Sequence, residues 1–177
     1  MPRSSRTAAS FWAVMVLVVA TDYITKMIAV ANLVPHYSVR QVVGDYVQFR
    51  LIYNPGAAFG LYLGSASRWI FMGLAIGALF VLWRLYRSTR EGEHARLLAV
   101  ALVCAGAVGN LLDRIRSERG VVDFIDVGIG SMRWPTFNVA DMAVSVGAFL
   151  LAWVLWGEEE RERESAAAAL PTGRGVE

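Results

Sequence analysis

Residues 96-RLLAVALVCAGAVGNLLDRIRSERGVVDFIDVGIGSMRWPTFNVADMAVSVGAFLLAWVLW-156 place a polar segment between two strongly apolar runs. That segment, residues 110–141, carries four aspartates: Asp113, Asp123, Asp126 and Asp141. A carboxylate at the centre of a membrane helix costs about 2.5–3.5 kcal/mol on insertion scales, and an ionisable residue kept in such surroundings reads as functional by default. These aspartates therefore need a reason to be where they are.

Working outward, four apolar segments are long enough for a bilayer core, which takes about 20 helical residues. They run roughly 11–31, 66–85, 96–113 and 139–156. The expected architecture is a mainly α membrane protein with four transmembrane helices and a small extracytoplasmic β-hairpin or sheet. Residues 1–157 are expected to form one domain, and the charged, low-complexity tail 158–177 to be a frayed helix extension with a disordered, cytoplasmic end. Arg3 and Arg6 before the first apolar run resemble the start of a signal peptide, but Asp22 and Lys26 follow, no small-x-small cleavage site appears, and apolarity resumes. The first segment is read as a spanning helix. Trp12, Trp69, Trp83, Trp134 and Trp156 lie near span ends, where tryptophan anchors a helix at the interface.

Composition agrees: 56% of residues are hydrophobic and 18% charged, and the mean hydropathy is positive. A net charge of +2 without a basic stripe does not suit nucleic acid. The single cysteine, Cys104, excludes an internal disulfide and reads as a small core residue. His36 and His94 are far apart in polar surroundings and read as surface residues, so no metal site or cofactor is expected. With both termini placed inside, nine arginines lie on the inner side and seven on the outer. That is a small positive-inside bias, and it points to cytoplasmic termini.

Alternation of four spans brings the unusual polar residues to one face. That face collects Asp22 and Lys26, the segment 53-YNPGAAFG-60, Asn110 with Asp113, the loop with Asp123 and Asp126, and Asn138 with Asp141. Each has a plain structural reading. Asp22 and Lys26 are spaced to neutralise one another on a helix. Asp113 has Arg114 and Asn110 as neighbours. Asn138 can cap the fourth span, with Asp141 at its third position favoured by the helix dipole. Their joint occurrence on one face is what favours a site.

Between the first two spans, 37-YSVRQVVGDYVQFRLIYN-54 has two runs rich in Val, Tyr, Phe and Ile around Gly44-Asp45, the pattern of a β-hairpin. This small apolar sheet is expected to rest on the membrane surface beside the aspartates. The turn 54-NPGAAFG-60 lets backbone approach closely. In 105-AGAVG-109, Gly106 and Gly109 read as helix-packing positions.

No Ser-His-Asp or Cys-His arrangement, phosphate loop or HExxH is present, and carboxylates remain as the chemistry. Two close carboxylates cannot both ionise cheaply, so one keeps a proton and the pair can act as acid and base. Pattern alone does not choose among Asp113, Asp123 and Asp126. Asp126 lies one turn from Asp123 if that stretch is helical.

The motifs 22-DYITK-26, 54-NPGAAFG-60, 106-GAVGNLLDR-114, 120-GVVDFID-126 and 137-FNVAD-141, in this order across residues 11–156, resemble the lipoprotein signal peptidases (type II) of bacteria. The resemblance implies an intramembrane aspartyl endopeptidase that removes the signal peptide from diacylglyceryl-modified prolipoproteins, cutting before the lipidated cysteine. It implies Asp123 and Asp141 as the catalytic pair, with Asp22, Lys26, Asn54, Gly56, Asn110, Asp113, Arg114, Asn138 and Ala140 shaping the site and binding substrate. It further implies no cofactor or metal, a monomer among membrane lipids, and a multi-pass protein of the bacterial inner membrane with its site on the extracytoplasmic face. Two alternatives use the same carboxylates. A presenilin-type protease would need YD and GxGD motifs, and the nearest string here is 128-GIGS-131. A proton-coupled transporter usually shows internal repeats, and none is visible.

Overall fold

The computed structural model describes residues 5–35, 38–56 and 63–168. Four long helices dominate it: α1 (Ser5–Asn32), α2 (Ser67–Ser88), α3 (His94–Arg116) and α4 (Val139–Ala168). A 3-10 turn, Gly64–Ala66, leads into α2. All four helices are long and apolar enough to cross a membrane. The 23 residues of α3 reach about 35 Å at 1.5 Å per residue, enough for a hydrocarbon core of about 30 Å. The spans expected at 11–31, 96–113 and 139–156 lie inside α1, α3 and α4, and that at 66–85 begins on the last residue of the 3-10 turn and runs through α2.

α3 is the central helix and packs against α1, α2 and α4. Small residues permit this closeness. At Gly106 an added Cβ would collide with the Ala140 carbonyl and Val144, and at Gly147 it would meet Ala99 and Val103. Both glycines lie where α3 and α4 cross, which agrees with the packing role read for Gly106. Cys104 is buried in the cluster of Phe11, Leu82, Tyr86, Leu97 and Val100 that joins α1, α2 and α3 at the end away from the sheet. His94 opens α3, while His36 and residues 57–60 of the expected turn lie outside the described residues.

The hairpin forms where the alternation of Val, Tyr and Phe around Gly44 predicts it: β1 (Arg40–Val43) pairs antiparallel with β2 (Val47–Asn54). The sheet is larger than the hairpin. β3 (Val121–Ile129) adds to β2, and the short β4 (Met132–Arg133) adds to β3, all antiparallel in the order β1-β2-β3-β4. The stretch 121–129 is therefore strand, and the helical alternative for Asp123 and Asp126 does not hold. Three residues apart on a strand, the two aspartates point to opposite faces. Leu51, Val122 and Phe124 pack on Ala29 and Leu33 at the end of α1, which docks the sheet on the helices.

One boundary differs from expectation. α4 does not end near Trp156 but continues through the charged stretch to Ala168. Glu, Arg and Ala are strong helix formers, and Arg163 pairs with Glu159 one turn away at 2.5 Å, so residues 158–168 extend the helix rather than fray.

Candidate active site

The ends of α1 and α3, the start of α4 and the β2–β3 pair bring the sequence-predicted residues together. At the start of α4, Asn138 Oδ1 accepts the Asp141 N–H (2.9 Å) and Asp141 Oδ2 accepts the Asn138 N–H (3.2 Å). This reciprocal pair is a capping box with aspartate in the glutamate position. It fixes Asp141 at the helix mouth, where the dipole favours a negative charge.

Asn138 is fully buried and its amide also reaches β3. It donates to Asp123 Oδ1 (2.7 Å), the Val122 carbonyl (3.2 Å) and Asn110 Oδ1 (3.1 Å). From α3, the Asn110 amide donates to Asp141 Oδ1 at 2.8 Å. From β2, Asn54 donates to Asp123 Oδ2 at 3.1 Å and accepts the Gly56 N–H at 3.0 Å. Every carboxylate oxygen of Asp123 and Asp141 thus accepts at least one hydrogen bond, and the two groups share Asn138 as a neighbour.

Behind them lies a buried ionic cluster. Lys26 Nζ contacts Asp22 Oδ2 (2.7 Å), Asp113 Oδ2 (2.8 Å) and Asn110 Oδ1 (3.1 Å). Asp22 Oδ1 accepts the Ala140 N–H at 2.8 Å, tying α1 to the first turn of α4. Gly109 leaves room for this contact, because a Cβ there would stand 2.6 Å from Asp22 Oδ2. Asp113 accepts the Val122 N–H at 3.2 Å and so holds the start of β3. The i, i+4 pairing of Asp22 and Lys26 read from spacing is present. The pairing of Asp113 with Arg114 is not: Asp113 takes Lys26, and Arg114 turns to backbone carbonyls, those of Gly56 (2.5 Å) and Asn110 (3.2 Å). Neighbours on a helix point 100° apart, and Lys26 on the facing helix meets Asp113 instead.

Asp126 belongs to a different cluster. On the other face of β3 its carboxylate is bound by Arg50 (2.7 Å) and Arg133 (2.8 Å) and is almost fully buried. In the sequence the outer arginines cluster around the aspartates as candidate partners, but nothing local assigns Arg50 and Arg133 to Asp126. Arg68 is another such residue. From the first turn of α2 it donates to the Arg114 carbonyl (2.7 Å) and the Ile115 carbonyl (3.3 Å), satisfying the end of α3.

Asp22, Asp113, Asp123 and Asp141 stand against Lys26 and Arg114, which leaves two negative charges in excess when all are ionised. Asp123 bears the strain. It is 3% exposed, and burial, followed by the charge of Asp141, pushes its carboxyl up to about 7 against the opposing pull of Asn54, Asn138 and Lys26. A buried carboxyl that keeps its proton near neutral pH, beside a half-open carboxylate, is an arrangement that can give a proton and take one. Among the described residues, no group of three His, Cys, Asp or Glu side chains is arranged to hold a metal ion.

A family model described as signal peptidase (SPase) II matches residues 14–157. A lipoprotein signal peptidase of Cupriavidus necator is 41% identical over 152 residues, covering 84% of this chain and 83% of that protein. One of Polynucleobacter necessarius is 36% identical over 151 residues, covering 84% and 88%. Two solved structures, each described as a bacterial membrane enzyme studied by the in meso method, share the fold. One has a TM-score of 0.74 at 26% identity over 96% of this chain and 95% of that one. The other has a TM-score of 0.72 at 30% identity over 83% and 92%.

Proposed function

The chain belongs to the signal peptidase II family, intramembrane aspartyl proteases that process prolipoproteins, and from that premise we propose that Asp123 and Asp141 are its catalytic pair. The observation that carries the assignment is their joint suspension from Asn138, with Asp123 pushed up to about 7. Asp113 and Asp126 are each consumed by basic partners, which leaves them no free charge to offer a substrate.

In the proposed reaction the protonated Asp123 donates to the scissile carbonyl oxygen. The Asp141 carboxylate takes a proton from water, whose oxygen bonds to the carbonyl carbon. Asp141 then gives that proton to the leaving amine as the carbon–nitrogen bond breaks, and the hydroxyl on the former carbonyl oxygen returns its proton to Asp123, so the pair ends as it began. Asn54, Asn110 and Asn138 fix the two carboxylates. Asp22 and Ala140 lock α1 to α4 behind them, Lys26 ties α1 to α3, and Arg114 holds the Gly56 carbonyl. The bond cut is the one before the diacylglyceryl-modified cysteine.

The protein is a multi-pass membrane protein. We place it in the bacterial inner membrane as a monomer among lipids, with both termini cytoplasmic and the pair extracytoplasmic. The support is that all site residues gather at one end of the bundle and that lipidated substrates are met from within the bilayer.

Cleavage of a diacylglyceryl-modified prolipoprotein by the purified protein in detergent tests the assignment. Asp123→Asn and Asp141→Asn lose product while remaining folded, and Asp126→Asn keeps cutting. Cleavage by both dyad variants rejects it.

A further inference from the structure

At the end of the bundle away from Asp123 and Asp141, the start of α3 and the lower part of α4 enclose a recess of about 390 Å³. Trp153, Val154 and Gly157 give it an apolar wall, and Glu93, Arg96, Glu158 and Arg161 line it with charge. Helix geometry sets its depth. Val139 and Gly157 stand about 27 Å apart along α4 at 1.5 Å per residue, close to the thickness of a hydrocarbon core, about 30 Å. The recess therefore opens at the membrane boundary opposite the active site. Trp153 is exposed beside it, and Arg161 follows Gly157 by one turn of helix, at headgroup level.

The charged groups of the recess are not equally engaged. Glu158 holds Arg96 through both carboxylate oxygens, at 3.1 and 3.3 Å, and so clasps α4 to α3. Glu93 accepts the Arg90 N–H at 2.7 Å through one oxygen. Arg161 is exposed and makes no ion pair or side-chain hydrogen bond among the described residues, whereas Arg163 is taken up by Glu159. The Nε–H of Arg96 is buried and also has no acceptor among the described residues, a costly state for a charged donor. Two basic and two acidic side chains thus line one recess, with a guanidinium left over for an anionic oxygen and an apolar wall beside it.

We propose that the recess seats one zwitterionic phospholipid with an ethanolamine headgroup, drawn from the leaflet opposite the active site. Its phosphate meets Arg161, its ammonium faces the Glu93 side, and an acyl chain runs along Trp153 and Val154. The balance of charge favours a headgroup bearing both signs over a purely anionic one. The wall continues into a lipid-facing surface, since Phe149, Leu155 and Trp156 on the same helix are exposed. A lipid seated here lies over the Arg96–Glu158 clasp and stabilises the α3–α4 pair, whose other end carries Asn110 and Asp141. The proposal rests on the membrane-spanning reading of the helices and not on the catalytic assignment, so its test needs no cleavage.

The test is native mass spectrometry of the full chain released from detergent, titrated separately with dioleoyl phosphatidylethanolamine, dioleoyl phosphatidylglycerol and dioleoylglycerol. The fraction carrying one lipid is highest with phosphatidylethanolamine. Arg161→Gln weakens that binding about fivefold, the scale of one basic residue at a lipid surface. Arg163→Gln, on the same helix but outside the recess, binds as the wild type does. Both arginines are exposed, so both variants fold and melt with the wild type in detergent alone, and added phosphatidylethanolamine raises the melting temperature least for Arg161→Gln. Diacylglycerol binding as tightly as phosphatidylethanolamine overturns the proposal, because the phosphate then plays no part. Equal or tighter binding of phosphatidylglycerol overturns the zwitterionic assignment, and an equal loss in both variants overturns the recess as the seat.

Discussion

Asn138 donates to Asp123 Oδ1 at 2.7 Å from a fully buried side chain, while its own carbonyl caps the helix that carries Asp141. One residue therefore sets the distance between the proposed catalytic groups. Asn138→Ala removes the cap and the donor together. It lowers kcat by about 100-fold, the scale for loss of one positioned donor in an active site, and costs about 1 kcal/mol of stability through the lost cap. Cleavage kinetics beside thermal unfolding in detergent check this; an Asn138→Ala protein of unchanged kcat makes the residue a cap only.

The raised Asp123 carboxyl predicts two pH effects of known sign. Activity needs one proton on the pair, so kcat falls as pH rises through about 7. Stability follows the same group. Its folded pKa lies above the unfolded value, so its contribution is fully present below about pH 4 and is lost as pH rises through about 7. The shift from 3.8 to about 7 corresponds to about 4 kcal/mol at 1.36 kcal/mol per unit. Between pH 5 and 8 the wild-type melting temperature drops further than that of Asp123→Asn, which has no such proton to lose. Parallel pH profiles for the two proteins contradict the assignment.

Asp126 is a test of structure without chemistry. Asp126→Asn leaves Arg50 and Arg133 without their shared counter-ion inside the sheet. Breaking a buried pair of this kind costs about 3–5 kcal/mol, so the variant unfolds at lower temperature but cuts its substrate at permissive temperature. Because Arg133 also braces Asp45, Arg133→Gln has the same phenotype. An Asp126→Asn protein that is stable and inactive would move Asp126 into the catalytic machinery.

Much of this arrangement is legible in the sequence where the determining contacts are local. Helix-length apolar runs give the four spans, the alternation around Gly44-Asp45 gives the first hairpin, and the Asn138–Asp141 spacing gives the cap of α4. β3 is different: 121-VVDFID-126 alternates poorly, and its partner Asn54 is 69 residues away from Asp123. The choice among the aspartates is equally non-local. Asp113 is neutralised by Lys26 from another helix and Asp126 by arginines from β2 and β4. Residue neighbours in the chain do not disclose which carboxylate is left without a basic partner, so the resemblance to a family, rather than the pattern, singles out Asp123.

Gly120 extends the argument from contacts to backbone. It adopts φ +101, and an added Cβ would strike the backbone of Asn54 and Pro55. L-residues with a side chain avoid that conformation, so Gly120→Ala strains the entry to β3 and pushes it from the end of β2. The first bond to lengthen is Asn54 to Asp123, which lies next to the displaced backbone. Gly120→Ala therefore loses activity beyond what its loss of stability explains, whereas Gly92→Ala, at φ +92 with open space around it, is strained but keeps kcat. Measuring kcat for both well below their melting temperatures separates the two effects: equal rates mean that Gly120 serves the turn alone, and a loss confined to Gly120→Ala means that the closeness of β2 and β3 holds Asp123 in place.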